Sequence, residues 1–203
     1  MYIVIEGQDG TGKSTQARLF QDFFIQQGKE AIVLDEPDGD LPQAHDIHDL
    51  ILIRGKNYNL EAITNVLLFN ASRIELWKKL AEPVLNRGGA VISARNYWST
   101  LAYQCYGEGV SKSKVISLTK KLLPPKYFTP DKSAILTISD DVRLARQNKR
   151  GKATETFEDK LGDFQMRVNN AYPKIAKEFN IPIVDASGDI EEVFQKLKKL
   201  FDL

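Results

Sequence analysis

The chain has 203 residues, with 28 Lys or Arg against 27 Asp or Glu, for a formal net charge of +1. That balance excludes a strongly basic nucleic-acid coat or membrane-surface binder, and 42% hydrophobic with 27% charged residues excludes a disordered tail or a coiled coil. The single cysteine, Cys105, permits no internal disulfide, no apolar run reaches the ~18 residues of a membrane span, and Met1-Tyr2-Ile3-Val4-Ile5 lacks the basic segment that opens a signal peptide. One cytoplasmic domain over 1–203 is expected.

In chain order, Tyr2 to Glu6 is a short apolar run that reads as a buried strand, and a helix follows from Lys13 to Gln27. Ala31 to Asp35 is a second strand. Leu60, Ile63, Leu67, Ala71, Ile74, Trp77 and Leu80 form a stripe at helical spacing and so predict a long helix with those residues in the core. Ala90 to Ser93 is a third strand. Leu122 to Lys132 holds Pro124, Pro125 and Pro130 and reads as a surface loop. Ala134 to Ile138 is a fourth strand. Leu161, Phe164, Val168, Ala171 and Ile175 predict a helix that Pro173 should kink or divide. Ile181 to Asp185 is a fifth strand, and Ile190, Val193, Phe194, Leu197, Leu200 and Phe201 mark a closing amphipathic helix. Strands alternating with helices predict an α/β fold, a five-stranded parallel sheet with helices on both faces.

Between the first strand and first helix stands Gly7-Gln8-Asp9-Gly10-Thr11-Gly12-Lys13-Ser14, the full P-loop pattern in its proper strand–turn–helix context. Gly7, Gly10 and Gly12 let the backbone wrap a polyphosphate. The helix N-terminus from Lys13 to Thr15 adds its positive end, with Thr11 in the turn itself. Lys13 is placed to reach the β- and γ-phosphates, and the Ser14 hydroxyl to ligate Mg²⁺. A nucleoside triphosphate with Mg²⁺ is therefore the expected ligand of this turn. A switch GTPase would need an Asn-Lys-x-Asp segment. Asn148-Lys149 continues instead as Arg150-Gly151.

Phe69 and Arg73, four apart, share a helix face, and a ring with a guanidinium suits a nucleobase, although alone they read as a core Phe beside a solvated Arg. Val91-Ile92-Ser93-Ala94-Arg95-Asn96-Tyr97-Trp98-Ser99 runs on to Ala102-Tyr103-Gln104. Together with the P-loop, Phe69 and Arg73, this resembles the thymidylate (dTMP) kinase family, in which a strand ending in Asp-Arg precedes a Ser-x-x-Ala-Tyr-Gln helix. Glu36-Pro37, Phe157-Glu158 with Tyr172, and Asp185-Ala186-Ser187 match further segments, so the resemblance spans nearly the whole chain.

The resemblance implies transfer of the ATP γ-phosphate to dTMP, and a homodimer. It implies that Asp9 contacts the acceptor sugar, Phe69 stacks on thymine and Arg73 bonds its edge. Tyr103 would sit against the deoxyribose and Gln104 would face the nucleoside. Arg95 would bind the acceptor phosphate, and Glu36, Pro37 and Ser99 would complete the acceptor side. With Gly10 where some members place a P-loop arginine, the catalytic cation is expected from a lid near 146–157, carried by Arg146 and Arg150. No nucleic-acid polymer or membrane partner is expected.

Three positions depart from the family pattern. Asp35 replaces the arginine before Glu-Pro, His48 replaces another arginine, and Ala94 replaces the aspartate before Arg95. Loss of two cations and gain of a carboxylate should weaken a dianion site, with His48 or Arg54 as compensation. Ala94 leaves Ser14 as the metal ligand, with Asp9, Glu36 or Glu158 acting through water. A kinase for another nucleoside monophosphate, and a nucleotide-binding paralogue with little turnover, therefore stay open as alternatives.

Overall fold

Alternation in the first strand sets up the layers. Tyr2 and Val4 turn to one face, Ile3 and Ile5 to the other, and all four are fully buried, as a strand covered on both sides requires. The computed structural model describes residues 1–38, 41–51, 60–139, 142 and 158–203, with 158–161 by backbone alone. The strands are β1 (Tyr2–Gly7), β2 (Ala31–Asp35), β3 (Ala90–Ala94), β4 (Lys132–Thr137) and β5 (Ile183–Asp185). They form one parallel sheet in the order β2-β3-β1-β4-β5. All five expected strands are present, β2 with the expected bounds and the other four with shifted ends. β5 starts at Ile183, after Pro182, which has no N–H for the ladder.

One face is covered by α1 (Lys13–Gln26) and the closing helix α9 (Ile190–Phe201). Phe20 of α1 lies fully buried with ring centroids 4.9 Å from Phe194 and 5.6 Å from Phe201. The other face carries α3 (Ala62–Leu76), which runs through a π turn (Trp77–Ala81) into α4 (Glu82–Asn86). It also carries α5 (Tyr97–Thr100), continuing as a π-helical segment (Leu101–Gly107), and α8 (Glu158–Phe179). The shorter α2 (Pro42–Asp49), α6 (Lys112–Leu122) and α7 (Pro125–Phe128) complete the described chain.

Three expectations are corrected. The expected apolar stripe is inward only at its C-terminal end, where Trp77 is in the core and Ile74 and Leu80 pack against it: Ile63 and Leu67 are exposed, while Val66, Asn70, Ser72, Arg73 and Leu76 are buried. The inward face is partly polar because it meets a hydrogen-bonded network rather than hydrocarbon. Pro173 does not divide α8. Its ring faces solvent while Ala171, Tyr172, Ile175 and Ala176 anchor both sides of it in the core. Leu122 to Lys132 is not a surface loop: Pro124 and Pro125 open α7, a favoured place for proline, and Tyr127 is fully buried, its ring 6.3 Å from Tyr2 and 5.5 Å from Trp77. The helix α6 had no counterpart in the sequence reading. The lid segment 146–157, with Arg146 and Arg150, lies outside the described residues, as does Arg54.

Candidate active site

The cradle begins where β1 ends. Gly7 has φ +139°, and a Cβ there would stand 2.2 Å from the Leu136 carbonyl oxygen of β4, so only glycine lets the chain leave the sheet at this point. Gly12 adopts a left-handed conformation and starts α1 with no side chain capping it. The first N–H groups of that helix are thus left to a ligand. Thr11 Oγ1 donates to the Gln8 carbonyl at 2.9 Å, and Lys13 Nζ donates to the same oxygen at 2.7 Å. Ser14 is half-buried, and its hydroxyl makes no hydrogen bond among the described residues. A cleft of about 580 Å³ opens beside the turn, lined by Gly10, Gly12, Thr15, Asp189 and Ile190 among others. Gln16 Nε2 ties α1 to the Ile190 carbonyl at 2.9 Å and so fixes one wall of that cleft.

Across the cradle, Asp9 accepts a short ion-pair contact from Arg95 and a 2.8 Å hydrogen bond from the Tyr103 hydroxyl. Burial raises the Asp9 carboxyl, but the Arg95 and Lys13 charges and these bonds outweigh it and bring its pKa to about 2. Lys13 shifts the other way. Burial and the neighbouring Arg95 charge lower its pKa to about 7, against the pull of Asp9, Glu6 and Asp35. Arg95 has φ +100°, a backbone state that costs a non-glycine residue on the order of 1–3 kcal/mol. Its N–H donates to the Ile5 carbonyl at 3.1 Å, and its carbonyl accepts from Ser93 Oγ at 2.6 Å.

Behind this cluster runs a chain of buried hydrogen bonds. Arg73, 3% exposed, donates from Nε to Glu36 at 2.7 Å, from Nη1 to Thr100 at 2.8 Å and from Nη2 to the Asn96 carbonyl at 3.0 Å. Tyr127 donates to the same Glu36 carboxylate. Burial pushes the Glu36 carboxyl up, and the Arg73 guanidinium opposes it. The Asn96 N–H reaches Glu6 at 2.7 Å, and Glu6 also accepts from Gly7 N at 3.1 Å, from Ser99 N at 3.0 Å and from Ser99 Oγ. One continuous path thus joins Arg73 to the first glycine of the cradle. The Arg73 guanidinium carbon lies 5.7 Å from the centroid of the Phe69 ring, which is half-buried.

The structure brings Asp9, Lys13, Arg95 and Tyr103 together and places Phe69 beside Arg73. Gln104 is buried, and its Oε1 has no hydrogen-bond partner among the described residues. Glu36 and Ser99 do not face open space: both are buried, and their side-chain oxygens are held within the network. Pro37 accepts from Ser72 Oγ at 2.5 Å through its carbonyl. Glu36 is thus removed from the candidates for holding a metal through water. His48 lies on α2 beside Asp49 at 3.4 Å, with its ring stacked on His45. Sequence reasoning missed Glu6, Asn96, Thr100 and Tyr127. A lone glutamate ending an apolar strand was the one available signal.

Comparison with known proteins agrees with this geometry. The family model described as thymidylate kinase matches residues 5–197. Thymidylate kinase of Chlamydia caviae is 33% identical over 199 residues, 97% of this chain and 95% of that protein. Thymidylate kinase of Thermosipho melanesiensis is 32% identical over 203 residues, 100% of this chain and 98% of that one. The crystal structure of thymidylate kinase from Ehrlichia chaffeensis superposes with a TM-score of 0.76 at 25% identity, covering 100% of this chain and 98% of that one. With the family model over residues 5–197 and relatives matched along nearly their whole length, this chain is a member of the thymidylate kinase family.

Proposed function

We propose that the chain transfers the γ-phosphoryl group of ATP to dTMP, giving dTDP and ADP. The observation that carries this reading is the buried path from Arg73 through Asn96 and Glu6 to Gly7. It fixes an aromatic–guanidinium pocket at a set place relative to the phosphate cradle. Two bound nucleotides held so turn a bimolecular encounter into a positioned transfer. An oxygen of the acceptor phosphate attacks the γ-phosphorus, the bond to the β-bridging oxygen breaks, and ADP leaves with no covalent enzyme intermediate.

In this reading Phe69 stacks on the base, and Arg73 bonds its edge with N–H groups beyond the three it has committed. The open Gln104 Oε1 faces the nucleoside. Tyr103, fixed by Asp9, borders the sugar. Arg95 binds the acceptor phosphate, with Arg146 and Arg150 supplying lid charge. Glu36 and Ser99 serve by holding Arg73 and the Arg95 turn. Gly7, Gly10, Thr11, Gly12, Lys13, Ser14 and Thr15 form the ATP site.

The residues present fit Mg²⁺: the Ser14 hydroxyl at the cradle makes no hydrogen bond among the described residues, and a hydroxyl oxygen is the kind of hard donor this ion takes. Bound there, the ion would neutralise phosphate charge. Residues 1–203 act as one kinase domain with a lid at 146–157, in the cytoplasm. The exposed Ile63 and Leu67, one turn apart on α3, support a homodimer.

An acceptor panel of dTMP, dUMP, dCMP and UMP with ATP and Mg²⁺ tests the assignment. Preference for dTMP supports it, turnover of another monophosphate moves the acceptor, and nucleotide binding without turnover of any leaves a binding protein.

A second measurement follows from Lys13. Its pKa is about 7 in the free protein, and polyphosphate beside it raises that value. Binding above pH 7 therefore takes up a proton, and affinity falls as pH rises beyond 7. Calorimetry at pH 8 in two buffers of different ionisation enthalpy should show uptake approaching one proton per site. Equal heats in both would exclude Lys13 as the linked group.

A further inference from the structure

β2 and β3 end side by side at the rim of the sheet. Their last residues, Asp35 and Ala94, are register partners, and Ala94 is also paired with Ile5 of β1, two residues before the cradle. Register partners on parallel strands share a face. Here it is the face under α1, where Ala94 packs with Ile3, Ile5 and Ala17. Asp35 thus stands on the side of the sheet from which Lys13 and Ser14 rise, about 4.8 Å from the β3 backbone. Beside it Ala94 presents only a methyl group.

Three carboxylates act on the Lys13 ammonium: Asp9, Glu6 and Asp35. Glu6 is fully buried and engaged by four donor groups. Asp9 is held by Arg95 and Tyr103. Asp35 is half-exposed and makes no hydrogen bond or ion pair among the described residues. Among the described residues it is the carboxylate at this rim with both oxygens free.

We infer that Asp35 orients, through water, the hydrated divalent cation that accompanies a nucleotide in the cradle. The inference rests on the proposed nucleotide site and adds a positioning residue to it. Such a group has two opposite effects. It attracts the cation, and it repels a polyphosphate that arrives without one.

The test measures affinity for a non-hydrolysable ATP analogue by calorimetry, with EDTA and with Mg²⁺. It also counts Mn²⁺ held in the protein–analogue complex by electron paramagnetic resonance, in the wild type and in Asp35→Asn. In Asp35→Asn, metal-free analogue should bind a few-fold more tightly, while Mn²⁺ in the complex should bind roughly 10-fold more weakly, the usual scale for an outer-shell partner. Asp35→Ser should do the same, and both variants should melt within a few degrees of the wild type. If the wild type gains affinity from metal and both variants gain as much, Asp35 has no such role, and the nucleotide site stands. If the wild type binds no analogue with or without metal, the nucleotide reading falls and this inference with it.

Discussion

Lys13→Met should lower phosphoryl transfer by about 10²- to 10³-fold, the usual scale for removing one preorganised charge from a reacting group, while leaving the protein folded. Methionine keeps the buried stem and removes only the ammonium. In the free protein Lys13 is 5% exposed, and its ammonium bonds one carbonyl among the described residues, that of Gln8 at 2.7 Å. Burial and the Arg95 charge lower its pKa to about 7, below the 10.5 of an ordinary lysine. The charged form is thus disfavoured by folding. That penalty is absent where lysine is neutral in both states, grows as pH falls from about 10.5 towards 7, and is complete below 7. Thermal melts at pH 6 and pH 9 should therefore show Lys13→Met gaining stability over the wild type at pH 6 and less at pH 9. A variant that is inactive because it is unfolded would melt lower at both. Near-normal turnover in a folded Lys13→Met would remove the cradle from the mechanism.

Local features were the ones legible in the sequence. The glycine spacing of the cradle and the β1–α1 context around it act over about ten residues, and the strands are apolar runs whose burial on both faces follows from composition alone. The membership of Asp9, Arg95, Phe69, Arg73 and Tyr103 in one region came from motif likeness, and the geometry adds their partners. The contacts of Glu36 and Ser99 were not legible, because the groups that engage them, Arg73 and Glu6, lie 37 and 93 residues away in sequence. Glu6 itself gave little signal, since a terminal glutamate on a strand is ordinarily solvated, and its donors other than the adjacent Gly7 come from Asn96, just past β3, and from Ser99 of α5. The α3 stripe misled for a related reason. Ile63 and Leu67 keep helical spacing, yet the neighbours that bury the opposite face are hydrogen-bonding groups, which periodicity does not record. Tyr127 was hidden by its prolines, which open α7 rather than mark a loop.

The buried path makes Glu6 the residue on which both the fold and the active site depend, and Glu6→Gln tests this. The carboxylate accepts from three backbone N–H groups, of Gly7, Asn96 and Ser99, and from the Ser99 hydroxyl, all in a site closed to water. Whichever way a glutamine amide is set, its NH₂ meets one of those N–H groups, donor against donor. Losing charge-assisted bonds of this kind while stranding a buried donor costs about 3 kcal/mol, or roughly 6–12 °C in Tm for a chain of this size. The kinetic effect has a separate origin. Arg95 holds φ +100°, and the next residue, Asn96, is anchored by Glu6 through its N–H. Without that anchor the Arg95 backbone relaxes towards an ordinary conformation and its guanidinium leaves the cradle. A displacement of about 1 Å at such a group costs on the order of 10²-fold in rate, and it should fall on kcat more than on the KM for ATP. Ser99→Ala, which deletes one donor and leaves the backbone pair in place, should cost only about 1 kcal/mol and little rate. If Glu6→Gln lowers Tm as expected but turns over normally in the folded range, Glu6 is a core residue only, and the Arg95 turn is held by Ile5 and Ser93 alone.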